Sequence, residues 1–130
     1  RTRRMEKTRG MINEHDIEAF KAYQNYDLTL NEYQRKARET AIYPAGASIL
    51  YPALGLAGEA GEVANKAKKI IRDNKLDREG MAKELGDCLW YIAALAKDLG
   101  YNMSDIAQNN LDKLDRRKRY GTIKGEGDDR

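Results

Sequence analysis

The sequence predicts an all-α fold: four to five helices in an antiparallel bundle whose core is completed by oligomerisation. Three observations carry this expectation. Apolar residues recur at three- and four-residue spacing over most of the chain, no stretch alternates convincingly as a strand does, and 130 residues contain only two prolines. The oligomer follows from one helix, 78–99, which is apolar on more than one side. Partners within a single small chain cover one such stripe, leaving its Trp90, Ala93 and Ala94 face to a second copy.

Composition bounds the rest. A chain of this length makes one domain with a modest core. Charged residues are 35% and hydrophobic ones 41%, and the formal charge of +3 is too slight to announce nucleic-acid binding. One cysteine excludes an internal disulfide framework and fits a reducing cytosol. No apolar run approaches the roughly 18–20 residues a membrane span needs, and the N-terminus has no apolar signal core. The expected location is cytoplasmic, with no membrane partner.

In chain order, residues 1–13 lack periodicity and begin without methionine, so they are expected to be a disordered or vector-derived leader, with Met5 and Met11 as alternative starts. The domain proper is 14–120. A short helix is expected from Asp16 to about Tyr26. His15 precedes it without any companion ligand and is assigned no role. Thr29 and Glu32 have capping-box spacing and start a helix to about Ile42, ended by Pro44 and Gly46, with Leu30, Tyr33, Gln34, Ala37 and Ala41 along one side. Ser48 can cap the next helix, with Pro52 near its start, running to about Asp73. Gly55, Gly58 and Gly61 each weaken it by about 1 kcal/mol relative to alanine, which calls for close approach by another helix or a ligand. A helix over 78–99 follows the turn at 74–77, with Gly100 as its C′ residue. Ser104 or Asn102 caps a last helix reaching about Tyr120. The Gly-rich charged tail, 121–130, is either flexible or a small lid over substrate.

Two acid pairs carry the chemistry. Glu59 and Glu62, then Glu84 and Asp87, are each three residues apart, hence roughly 60° apart and one turn along a helix. Laid side by side, two such helices converge four carboxylates, which repel one another unless a cation is present. Hard cations such as Mg²⁺ take oxygen ligands of this kind. A solvated face is the plain alternative for Glu59 and Glu62, which fall opposite Ala53, Ala57, Ala60, Ala64, Ala67 and Ile71. Glu84 borders the stripe Met81, Leu85, Cys88, Ile92, Leu95 and Leu99, where an acid needs a partner. A lysine would satisfy it as well as a metal. Cys88 has no histidine base beside it and is expected to be a core residue.

Residues 116–119 form the densest basic run. Cations favour a helix C-terminus; beside an acidic metal site they also suit a phosphate clamp, since arginine forks onto phosphate oxygens. No P-loop or dinucleotide-binding pattern occurs, and a di-iron bundle would need Glu-x-x-His pairs that are missing.

These residues resemble the MazG-like all-α nucleoside triphosphate pyrophosphohydrolases. The likeness lies in Gly55-Leu-Ala-Gly-Glu-Ala-Gly-Glu-Val, Glu84-Leu-Gly-Asp-Cys-Leu-Trp-Tyr, Asn110-Leu-Asp-Lys-Leu-Asp-Arg-Arg-Lys and the ending Gly121-Thr-Ile-Lys-Gly-Glu-Gly-Asp-Asp-Arg. That ending is similar to a Gly-Ser-Gly-Asp-Asn-Arg tail of one subgroup, departing at Glu126 and Asp129. The resemblance spans about residues 28–130. It implies Mg²⁺-dependent cleavage of a nucleoside triphosphate between its α and β phosphates, with Mn²⁺ as a substitute. Glu59, Glu62, Glu84 and Asp87 would hold metal, Glu59 serving also as general base. Gln34, Lys66, Lys69, Asn110, Lys113, Arg117 and Lys118 would contact the nucleotide. It further implies a homodimer or homotetramer. Phosphoribosyl-ATP, dUTP or dCTP are alternative substrates on the same scaffold, and a small basic nucleic-acid-binding or regulatory protein with degenerate acids is the alternative of another class.

Overall fold

The computed structural model describes Glu18 and residues 27–128. The expected leader and most of the expected first helix, 16–26, lie outside the described residues. Residues 27–128 form four α-helices and a 3-10 turn: α1 (Leu30–Arg38), the turn Ala45–Ala47, α2 (Leu50–Asp73), α3 (Arg78–Asp98) and α4 (Met103–Arg119). The all-α expectation holds.

The organising unit is the hairpin of α2 and α3. Four residues join them, and Gly55 meets Tyr91 while Lys66 meets Asp77, so the two helices run antiparallel. A side-chain Cβ at Gly55 would sit on the Tyr91 ring carbons. This explains one of the three helical glycines. Around Gly58 and Gly61 nothing lies within 4 Å of a built Cβ.

The ends of the helices are set partly by local and partly by distant groups. Thr29 and Glu32 make the expected capping box, each side chain bonding the other's backbone N–H at 3.1 Å. Helix α1 stops at Arg38, short of the expected Ile42, where the Thr40 hydroxyl donates to the Ala37 carbonyl at 2.7 Å. Ser48 does not cap α2. The N-cap is Ile49, at φ 69°, with no side-chain cap bond, and its N–H donates to the Asp98 carboxylate at 3.0 Å. At α3, Asp77 accepts from Gly80 N–H at 2.9 Å, and Gly100 (φ 81°) lets Tyr101 N–H reach the Ala96 carbonyl in a Schellman ending. Neither Asn102 nor Ser104 supplies a cap to α4. Its first N–H groups go instead to side chains of α1: Met103 N–H to Gln34 Oε1 and Ser104 N–H to Asn31 Oδ1, both at 3.1 Å.

The core is thin. Ala93, Ala96 and Met103 are buried, with Tyr33, Ala37 and Leu89 packed on them; Ala94 and Pro52 are also buried. Two face assignments are thereby corrected. The Trp90–Ala94 side of α3, expected to be left for a second copy, is covered within the chain: α1 packs on it and Trp90 Nε1 donates to the Thr40 hydroxyl at 2.8 Å. The expected buried stripe is instead open at Leu85, Ile92 and Leu99. On α2 Glu59 lies on the packed side with Leu56, Val63 and Ile70, while Glu62 is exposed and the alanine side faces out, together with Leu54 at 74% exposure. The physical reason is the fit to α3: the Tyr91 ring is received at Gly55, which turns the side bearing Leu56, Val63 and Ile70 inward and leaves Leu54 and Ile71 outward with the alanines.

Candidate metal centre and phosphate site

The antiparallel α2–α3 hairpin brings Glu59 against both acids of the second pair. One carboxylate oxygen each from Glu59, Glu84 and Asp87 lies within 4.8 Å of the others. Glu59 and Glu84 are half-buried and Asp87 is exposed. Glu62 stands one turn further along α2, exposed and outside this trio, though its charge still reaches Glu59. Burial raises the Glu59 carboxyl above its ordinary value, and the charges of Asp87, Glu84 and Glu62, with a hydrogen bond to Glu84, raise it further.

Among the described residues, no lysine pairs with the trio in the way the sequence left open for Glu84. Lys66 feels the charges of Glu84 and Glu62, yet its Nζ bonds Asp77 Oδ2 at 2.7 Å, the interaction that chiefly raises its proton affinity. Lys83 pairs with Glu79 at 3.5 Å. Gly80 makes room for the Lys66–Asp77 bridge, since a Cβ there would collide with the Asp77 carboxylate and lie 2.6 Å from Lys66 Nζ. Lys69 is exposed and, with Lys66, lines an open cavity of about 620 Å³ at the α2–α3 elbow.

Two tyrosines wall the acids. Tyr33 of α1 is half-buried, and burial followed by the charge of Asp87 raises its phenol. Tyr91, seated over Gly55, is raised by burial first and then by Tyr51, Glu59 and Asp87. Sequence reasoning did not single out Tyr91. The signal was Gly55, a helix-interior glycine one hairpin register away. Behind Tyr91 run Tyr51 (centroids 6.3 Å apart) and Tyr43, stacked on Tyr51 at 4.9 Å.

The remaining candidates divide. Gln34 is buried, and its amide is committed to backbone: Nε2 donates to the carbonyls of Ala93 (3.3 Å) and Tyr101 (2.9 Å), while Oε1 accepts from Met103. It ties α1, α3 and α4 together. Asn110 lines an apolar cavity of about 280 Å³ with Leu30, Ile92 and Ile106. Lys113 and the buried Arg117 hold the tail at Asp128, and Lys118 is exposed.

The sequence model of the MazG nucleotide pyrophosphohydrolase domain matches residues 50–122, which contain all four acids of the two pairs. The chain belongs to this family. The chain is also similar to the Gene 37 protein of Mycobacterium phage L5, 45% identical over 109 residues, covering 75% of this chain and 96% of that one. No solved structure gives a significant match. No helix among the described residues is long and apolar enough to cross a membrane. The matched stretch runs from the start of α2 through the acid hairpin and α4. An all-oxygen trio with no lysine seated in it, and with one member's proton affinity raised by the others, is a donor set that fits a hard cation such as Mg²⁺.

Proposed function

We propose that the protein is a Mg²⁺-dependent pyrophosphohydrolase that cleaves a nucleoside triphosphate between the α and β phosphates, giving the monophosphate and pyrophosphate. The observation that carries this reading is the convergence of Glu59, Glu84 and Asp87 within 4.8 Å inside a MazG domain. These three residues, with Glu62 completing the set at the exposed edge, would hold the metal, and Mn²⁺ would substitute. When bound, the metal neutralises phosphate charge and makes a bound water more acidic.

The chain's own groups do the rest. Glu59, the half-buried member of the trio on α2, would orient a water and take its proton as general base. Lys66, held by Asp77, and Lys69 supply positive charge from α2 to the phosphates. Lys113, Arg117 and Lys118 supply it from α4, neutralising charge as the bond to the leaving pyrophosphate breaks, and Asn110 adds a neutral amide donor. Gln34 fixes the wall from behind and does not touch the nucleotide.

A homo-oligomer belongs to the same reading, with its interface moved from the Trp90 face to the outward alanine side of α2 and the open Leu85, Ile92 and Leu99. Alanine and glycine there permit close helix approach. Light scattering should give a multiple of the chain mass; an active monomer would refute it. The activity itself is tested by incubating the protein with each of the eight common ribo- and deoxyribonucleoside triphosphates, with and without Mg²⁺, and measuring pyrophosphate. Release of orthophosphate in place of pyrophosphate, or equal activity in EDTA, would refute the assignment.

A further inference from the structure

Arg117 is exposed over only 7% of its surface, yet its Nε has no hydrogen-bond partner. Its Nη2 donates to the carbonyl oxygens of Gly127 (3.2 Å) and Asp128 (2.7 Å) and reaches Asp128 Oδ1 at 3.4 Å. Lys113, one turn earlier on α4, donates to the same Oδ1 at 3.0 Å. Two cations thus converge on a single carboxylate oxygen, and the site keeps a net positive charge. The arrangement depends on the chain reversing after α4. Gly121 (φ 68°), Gly125 (φ 140°) and Gly127 (φ 82°) take conformations that residues with a Cβ rarely adopt, and Thr122 N–H closes the turn onto the Arg117 carbonyl at 2.8 Å. The Asp128 side chain is itself 83% exposed, so water reaches the carboxylate that the cations hold.

A phosphate group has more acceptor oxygens and more charge than one carboxylate. It can satisfy Lys113, Arg117 Nη2 and the idle Nε together. We propose that Asp128 is a displaceable stand-in for substrate phosphate: the C-terminal tail seats its carboxylate on Lys113 and Arg117 in the free protein, and a polyphosphate displaces it. This rests on the reading of Lys113 and Arg117 as phosphate ligands. The tail then sets a threshold. A triphosphate carries enough charge to take both cations from Asp128, whereas a monophosphate product competes poorly and leaves.

The test is calorimetric titration of the full-length protein with sodium tripolyphosphate, without divalent metal so that the cationic site alone is read. Asp128→Ala and Asp128→Asn should bind the probe about three- to tenfold more tightly than the parent, since the competing carboxylate is gone. Lys113→Ala should bind it more weakly by a similar factor. If Lys113→Ala binds as the parent does, the phosphate assignment of this site falls, and the stand-in with it. If Lys113→Ala weakens binding while the Asp128 variants bind no more tightly, the stand-in alone is overturned. Trypsin gives an independent reading: tripolyphosphate should speed cleavage after Lys124 as the tail leaves. Protection would show that the tail closes over the anion, and would overturn the proposal.

Discussion

Removing the Asp98 carboxylate should unlock the connection between α1 and α2. Its side chain is 2% exposed and accepts three hydrogen bonds: from Arg38 Nη1 (2.9 Å), the Tyr43 hydroxyl (2.8 Å) and Ile49 N–H (3.0 Å). Burial alone would raise this carboxyl, but the Ile49, Tyr43 and Arg38 bonds together bring it below its ordinary value. Bonds to an ionised acceptor contribute about 1.5–3 kcal/mol each. Arg38 is 40% exposed and can turn to water, so its share is discounted. The two remaining donors give about 3–6 kcal/mol. Asp98→Ala also releases Ile49 from φ 69°, returning about 1–3 kcal/mol of strain. At mid-range values the net loss is about 2.5 kcal/mol, or about 10 °C in Tm for a chain of this size. Thermal unfolding by circular dichroism at neutral pH is the assay, with Asp98→Asn expected to lose about half as much because one acceptor oxygen remains. Arg35→Ala, which breaks only an exposed 3.8 Å pair with Glu39, is the control, at under about 1 kcal/mol. Because the folded carboxyl is depressed, its contribution is present above the ordinary value of 3.8 and lost as pH falls through the lower folded one. A Tm drop for Asp98→Ala no larger than that of Arg35→Ala would refute the latch.

Glu59→Gln should raise the Tm of the metal-free protein at pH 7. Its folded pKa is raised, so the stability of the protonated form is present below 4.5 and lost as pH rises through the folded value; the gain should therefore vanish in acid, and Mg²⁺ should no longer shift the variant's Tm as it does the parent's. Gly55→Ala forces a methyl into the Tyr91 ring, costing about 1–3 kcal/mol against a gain of about 1 in helix propensity, whereas Gly61→Ala meets nothing and should stabilise the isolated chain while weakening its self-association on light scattering. Gln34→Ala strips three bonds from buried backbone groups at once. A loss of about 2–4 kcal/mol is expected, with faster amide exchange at Met103, and wild-type protection there would contradict the strut.

What the sequence made legible was what depends on local spacing. Three-residue acid spacing on helices, a four-residue link and antiparallel pairing suffice to bring Glu59 to Glu84 and Asp87. The capping box at Thr29 and the Gly100 ending of α3 are likewise local. The failures are long-range. Ser48 looks like a cap because the competitor for the first turn of α2 is Asp98, some fifty residues on; Asn102 and Ser104 look like caps because Asn31 and Gln34 cannot be seen from α4. The burial of α2 was misread by counting alanines, when the side that packs is the one whose Gly55 receives the Tyr91 ring of α3, a distant partner. Gln34 was placed at the nucleotide by the family resemblance alone, and the groups that hold its amide lie about sixty to seventy residues on, out of reach of a local reading. The structure gives it three backbone partners.

The glycines of α2 carry the argument one step further. Each is unfavourable in a helix interior by about 1 kcal/mol, so a helix with three of them needs surfaces that repay close approach. Gly55 has one: the Tyr91 ring lies where its side chain would be, and that ring in turn borders Glu59 and Asp87. Gly58 and Gly61 have none among the described residues, and they sit among exposed alanines beside Leu54. The acids and the small residues thus occupy opposite sides of one rigid helix. In the proposed oligomer, a second copy pressed on the outer side would fix the tilt of α2 over α3, and with it the spacing of Glu59 from Glu84 and Asp87. Assembly and metal binding would then be coupled through α2 itself, with no residue of the interface touching the metal.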